Sequence, residues 1–299
     1  WPDDSRPREW SVTTRLEDLA SYPDDPAVRA LVDLHMSRVR ELASATLLRI
    51  PPGAPLSSVG TRSRQTSIGS LICSSLRDAL GADACLFNGG GIRASREYTE
   101  RFTYGDVEAE VPFDNEVVVV SLAGRVVEDA IVASRSRVSG AFLQVDDRLL
   151  VAPSTHRVIT IAGEPFDPAR TYSVALVREL LVVLDRVEPL VRWAAEHPSL
   201  VPPAGSGREP KMVLVQAFAI AIWQELGGFD AVDANGDDRV SVEEVAAAVA
   251  RVHPSQAPSP VLVDLVVRAV DGDGDRVISR EDAARVTRPG SDVPPEGAA

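Results

Sequence analysis

Ala84-Cys85-Leu86-Phe87-Asn88-Gly89-Gly90-Gly91-Ile92-Arg93 is the stretch on which the reading of this chain turns. Four apolar residues make a short strand that runs straight into three consecutive glycines, with Asn88 and Arg93 bracketing the turn. Glycines here let backbone amides come close to something, either a bound anion or another segment of chain. The residues alone leave both open. An amide and a guanidinium on either side suit hydroxyls and phosphate oxygens.

Working outward, Ile68–Leu80 reads as an amphipathic helix before this strand. Val117–Leu122 is a continuous run rich in β-branched residues, the pattern of a strand buried on both faces. Gly124–Ser136 follows as a helix. Val158–Ala162 and Tyr172–Val177 are further strands, separated by a Gly163-Glu164-Pro165 turn. Helices and strands interleave, so residues 51–200 are expected to form an α/β (α+β) layered domain with mixed sheets.

Upstream, the chain is polar and irregular to about Tyr22, and Pro26–Leu48 has helical apolar spacing. Pro26 suits the first turn and Asp24 or Asp25 can cap it. Pro51, Pro52 and Pro55 end it, so residues 1–50 are expected to be a tail and a linker helix. Downstream, Pro202-Pro203-Ala204-Gly205-Ser206-Gly207 is the clearest linker. Everything after it is helical: Pro210–Gly227, Val242–Val252, Pro260–Val270 and Arg280–Val286. A small all-α domain is expected over 208–290, with a disordered acidic tail at 291–299.

The 299 residues carry a formal net charge of −13. From Glu225 onward there are 15 acidic and 7 basic residues, a net of −8. That end is suited to cations and not to nucleic acid or an anionic membrane. No apolar run is long enough to span a membrane. The chain opens on Trp1 without a signal-like segment, which reads as a mature or excised portion of a longer product. Cys73 and Cys85 are too few for a disulfide framework; they are two buried thiols, or one bridge if the protein is secreted.

Two acidic segments of the helical region share a spacing. Asp233, Asn235, Asp237 and Glu244 stand first, third, fifth and twelfth in one, with Arg239 seventh. Asp271, Asp273, Asp275 and Asp282 do so in the other, with Val277 seventh. Side-chain oxygens at those positions, plus the seventh carbonyl, are the ligands of an EF-hand calcium loop. Val240 and Ile278 stand where β-branched residues pair the two loops. Both depart at the sixth position, where Asp238 and Arg276 replace glycine, and a positive φ costs such residues about 1 kcal/mol. Asp282 is also one methylene shorter than glutamate. The first loop is therefore expected to bind Ca²⁺ more tightly than the second.

Six blocks, in order, give the α/β region a resemblance to the C-terminal domain of the 5′-nucleotidase family. They are Arg62–Cys73, Gly81–Arg93, Thr103–Asp106, Val111–Asn115, Gly140–Gln144 and Phe166–Tyr172, at the family's approximate spacing across about Leu56–Leu190. The resemblance implies that an N-terminal metallophosphoesterase domain, upstream of this chain, would hold a divalent metal pair and perform hydrolysis. The C-terminal domain would grip the nucleotide or nucleoside. It further implies Arg62 and Arg93 as the phosphate- and ribose-side arginines, with Asn88 and the Gly89-Gly90-Gly91 amides beside them. Phe113 would be one of two aromatics that sandwich the base, or else a phenylalanine packed in the core after Pro112. Asp185 could stand for a ribose-binding aspartate. The second aromatic and its glycine turn are missing: Arg178–Arg186 reads Arg-Glu-Leu-Leu-Val-Val-Leu-Asp-Arg.

The four histidines and three asparagines include no Asn-His pair, and no two histidines are near one another in sequence. Asp33-Leu34-His35 has an Asp-x-His spacing but sits in the linker helix, as a surface coincidence. The chain alone is therefore expected not to hydrolyse phosphate by that family's route. The reading is the nucleotide-recognising portion of a secreted bacterial phosphohydrolase, periplasmic or extracellular. Its rivals are a non-catalytic binding protein for nucleosides or phosphorylated metabolites, and a calcium-dependent surface module with a decayed nucleotide site.

Overall fold

The computed structural model describes residues 11–182, 187–252 and 259–287. In chain order they form α1 (Pro26–Ser44), β1 (Thr46–Arg49), β2 (Leu56–Ser57), α2 (Ser67–Ala79), β3 (Ala84–Asn88), β4 (Glu97–Tyr98), β5 (Arg101–Thr103) and α3 (Tyr104–Glu110). Then come β6 (Val117–Ala123), α4 (Gly124–Ser134), β7 (Leu143–Val145), β8 (Leu150–Val151), β9 (Val158–Ile161), β10 (Glu164–Pro165), β11 (Thr171–Val177) and α5 (Glu188–Glu196). The helices α6 (Pro210–Glu225), α7 (Phe229–Val232), α8 (Val242–Val252), α9 (Pro260–Val270) and α10 (Arg280–Thr287) complete them.

The segment up to Arg40 is a unit by itself. Within it Asp25 accepts hydrogen bonds from the amides of Ala27 and Val28 and starts α1. Asp33 and His35 are exposed on that helix, and Asp33 pairs with Arg40 at 2.6 Å.

The described residues from Glu41 onward form the second unit. Its centre is a mixed four-stranded sheet in the order β6-β11-β3-β7, with β11 parallel to β3 and the other pairs antiparallel. Every residue of β3 is buried, as its unbroken apolar pattern requires of an inner strand. Helix α2 packs on β3 and β7, burying Ile68, Ile72, Cys73 and Leu76. The Thr66 hydroxyl caps it by accepting the Gly69 amide at 3.0 Å. Thr103 and Asp106 form a capping box that starts α3, the physical content of the Thr103–Asp106 block. Cys73 and Cys85 are buried, unbridged thiols on α2 and β3.

Three expectations are corrected. β6 is an edge strand and not buried on both faces: Val119 is 40% exposed and Ser121 is open, alternate residues of one face that faces solvent. The helix from Pro26 stops at Ser44, and residues 46–49 leave it as β1 to pair antiparallel with β5 and bury Leu47. That part of the supposed linker belongs to the compact unit. Finally, residues 202–207 do not separate two bodies. Val117 and Arg208 exchange backbone hydrogen bonds, and the Glu116 carboxylate accepts the Gly205 and Gly207 amides. Helix α6 is largely apolar, buries Val213, Leu214, Phe218, Ile222 and Trp223, and packs against both α2 and α9. The helical region therefore shares one core with the sheet. The acidic tail at 291–299 lies outside the described residues. No described helix is long and apolar enough to cross a membrane.

Candidate functional site

The glycine turn follows β3, at the end where β3 and its parallel neighbour β11 both finish. Ligands of such sheets bind beyond the carboxyl ends of the strands. Of the two readings of the glycines, close packing against other chain segments accounts for Gly89 and Gly90. The Gly89 amide donates to the Phe142 carbonyl at 2.7 Å, and the Gly90 amide to the Gly140 carbonyl at 2.8 Å. A Cβ on Gly89 would stand 2.0 Å from the Thr61 carbonyl oxygen, so only glycine fits. Gly91 is packed against the Phe87 ring. The amides of Gly89 and Gly90 are thus engaged by protein.

That packing gathers the charged side chains. Thr61 rests on Gly89 and donates its hydroxyl to the Gly89 carbonyl, which places the exposed Arg62 directly beside the turn. Asn88 is buried at the strand end. Arg93 is exposed, reaches back to the Gly90 carbonyl at 3.4 Å, and lies 5.7 Å from the centroid of the Phe113 ring. Phe113 is 43% exposed, so it is not a core phenylalanine. Arg62 on one side of the turn, and Arg93 with Phe113 on the other, leave two guanidinium groups and an aromatic face exposed near the end of β3.

Where the second aromatic is missing, residues 178–181 make a tight helical turn on the end of β11. Leu180 and Leu181 point into the core, and Val182 stays 48% exposed. Asp185 lies outside the described residues. The sequence reading missed Glu110. It is fully buried, accepts the Tyr98 hydroxyl at 2.7 Å and the Ala94 amide at 3.1 Å, and its carbonyl accepts the Arg93 amide. Burial, reinforced by this bond, pushes the Tyr98 hydroxyl well above its ordinary pKa. A glutamate at the end of a short capped helix carries no sequence signal of such a role.

The two acidic loops have the backbone their spacing requires. Asp238 and Arg276, at the sixth positions, adopt φ of 62° and 65°. Val240 and Ile278 exchange hydrogen bonds at 3.0 and 2.9 Å. In the first loop Asp233 accepts from Gly236 and Asp238, Asn235 from Asp237, and Asp237 from Arg239. Glu244 folds back onto the Ala234, Asn235 and Ser241 amides. The Ser241 amide is the main cause that holds its carboxyl below the usual range. In the second loop Asp271, Asp273 and Asp275 offer carboxylate oxygens within 4.8 Å of one another. Asp282 is buried, and burial would raise its pKa. Hydrogen bonds from Ser279 and Gly272, and the Arg285 guanidinium paired to it, outweigh that and hold it low. This donor set, all oxygen with the seventh carbonyls of Arg239 and Val277, fits a hard cation such as Ca²⁺.

Comparison with known proteins places the sheet-bearing region. Residues 44–178 match the profile of the "5′-nucleotidase, C-terminal domain". Protein UshA of Escherichia coli is 39% identical over 114 residues, which are 37% of this chain and 20% of that protein. A 5′-nucleotidase of Vibrio parahaemolyticus is 39% identical over 85 residues, 28% of this chain and 15% of its own. The chain thus matches about a fifth of these relatives' length or less. A 5′-nucleotidase precursor from Thermus thermophilus superposes with a TM-score of 0.50 at 23% identity, covering 66% of this chain and 40% of that one, a likeness of fold alone. Over residues 44–178 this chain is therefore similar to the C-terminal domain of 5′-nucleotidases.

Proposed function

We propose that this chain is the nucleotide-recognising part of a 5′-nucleotidase-type phosphohydrolase, and that its two acidic loops bind calcium. The observation that carries the first half is the placing of the exposed Arg62, Arg93 and Phe113 around the glycine turn at the carboxyl ends of β3 and β11, with Asn88 buried beneath it. Guanidinium groups suit phosphate and ribose oxygens, and an exposed phenylalanine suits a base. The glycine amides contribute shape more than anion contacts, since Gly89 and Gly90 are already bonded. Hydrolysis itself belongs, on this reading, to a metallophosphoesterase domain holding a divalent metal pair, and the whole acts in the periplasm or outside the cell. There, abundant calcium would stiffen the helical end through Asp233, Asn235, Asp237, Arg239 and Glu244, and more weakly through Asp271, Asp273, Asp275, Val277 and Asp282.

Calorimetric titration of the chain with AMP, UMP and ribose 5-phosphate tests the nucleotide half. Arg93→Ala should weaken all three alike with little change in melting temperature. If none of the three binds the unmodified chain, the recognition reading fails and the decayed-site alternative takes its place.

A further inference from the structure

Gln144 is completely buried, and its side chain is spent on one loop. Its Nε2 donates to the carbonyl of Thr61 at 2.8 Å and to that of Arg64 at 2.7 Å. Its Oε1 accepts the Thr66 amide at 2.9 Å. The two carbonyls flank Arg62 and Ser63, so one amide group holds both ends of the arginine-bearing turn. The Thr61 carbonyl that Gln144 grips is also the atom against which Gly89 packs. Gln65 extends the attachment by exchanging hydrogen bonds with the Val145 backbone at 2.9 and 3.1 Å. Gly69 supplies the space, since a Cβ there would stand 2.1 Å from Gln144 Oε1. No other uncharged side chain both donates to two carbonyls and accepts an amide from that place.

We infer that Gln144 is a positioning residue for phosphate recognition, fixing Arg62 against the glycine turn from beneath without touching the ligand. The inference rests on the proposed role of Arg62. An exposed arginine on an irregular loop loses much conformational freedom on binding, and a loop clamped at both ends has less to lose. Clamping acts on the arginine's ligand and not on the base, which Phe113 serves. Gln144 therefore controls phosphate affinity selectively.

The test is titration of the whole chain with ribose 5-phosphate, AMP and adenosine. Gln144→Met, close in volume but unable to donate, should weaken ribose 5-phosphate and AMP about tenfold and leave adenosine unchanged. In an Arg62→Ala background the same substitution should cost nothing further, because its effect passes through Arg62. If Gln144→Met does not fold, Gly69→Ala carries the test: its methyl displaces the amide while favouring helix α2, and it should reproduce the phosphate-selective loss. Equal losses for adenosine and phosphates, or losses that add in the Arg62→Ala background, would mark Gln144 as structural only and overturn the inference. Should Arg62→Ala itself leave ribose 5-phosphate binding unchanged, the role of Arg62 fails first and the inference falls with it.

Discussion

Arg77 on α2 donates to the Asp146 carboxylate at 2.6 Å, and neither side chain meets solvent. Asp146 also accepts the amides of Cys85, Arg148 and Leu149. The pair therefore ties α2, the start of β3 and the turn after β7 into one block. Removing one partner of a buried pair leaves the other charge uncompensated, a loss of about 3–5 kcal/mol. Arg77→Met should fall in that range by urea unfolding. The double variant Arg77→Met/Asp146→Asn should lose markedly less, because no lone charge remains. Equal losses for the two would mean that the pair contributes packing alone.

The same arginine gives a pH signature. Burial would raise the Asp147 carboxyl, but hydrogen bonds from Arg77 and Ser74 outweigh it and hold it below its ordinary 3.8. A group depressed on folding contributes stability above its unfolded value and loses it as pH falls through the folded one. Wild-type stability should therefore fall more steeply below about pH 4 than that of Asp147→Asn. Superimposable acid limbs would remove this coupling.

Calcium should bind first at Asp233–Glu244. Glu244→Ala removes the twelfth-position carboxylate and should abolish that site in calorimetry. At the second loop the Arg285 guanidinium already occupies Asp282, so an incoming ion must displace it. Arg285→Gln should consequently tighten the weaker site, and calcium should raise the melting temperature of the wild type. A melting curve that ignores millimolar calcium would reduce both loops to acidic surface turns.

The sequence was most legible where local chemistry and tertiary context agree. The apolar run of β3, broken off by three glycines, read directly as a short strand. The spacing of the two loops predicts backbone that Asp238 and Arg276 adopt despite being poor choices for positive φ. It was least legible where partners distant in sequence decide. Val117–Leu122 looks doubly buried until it is known that one face of the strand has no covering layer. Residues 202–207 read as a linker because Pro and Gly break local structure, yet Glu116 and Val117 hold them from across the fold. At the site, the arginines and Phe113 were visible as residue types, but whether Phe113 is exposed was not. Gln144 was visible only as the end of a block and Glu110 not at all, because only the folded chain shows which backbone groups they satisfy.

The two thiols give a further check. Burial pushes Cys73 well above the ordinary thiol range, and its hydrogen bond with Cys85 adds to this. Its neutral form, favoured by folding, contributes stability that is present below the unfolded value of 9.0 and lost as pH rises toward the folded one. Reduced, desalted protein at neutral pH should show no thiol reactive toward a disulfide reagent until denaturant is added, and then both. Rapid labelling of native protein would mean that α2 opens readily from β3.

The last expectation concerns selectivity among bases. Phe113 offers one aromatic face, and Arg93 already lies over the ring. A stacked base is worth about 1–3 kcal/mol per aromatic contact, so losing the opposing aromatic should cost roughly tenfold and flatten base preference. AMP, UMP and ribose 5-phosphate should bind within about one order of magnitude of each other. Phe113→Ala should weaken only the two that carry a base. Between residues 178 and 182 the leucines are committed to the core, which leaves Val182 as the exposed apolar side chain that could rebuild the clamp. Val182→Ala should leave all three affinities unchanged, because a single isopropyl group offers little area to a purine. Should AMP bind far better than ribose 5-phosphate, and Val182→Ala erase the difference, the opposite face has been rebuilt from an aliphatic side chain. Base selectivity would then reside in the turn after β11 and not in Phe113.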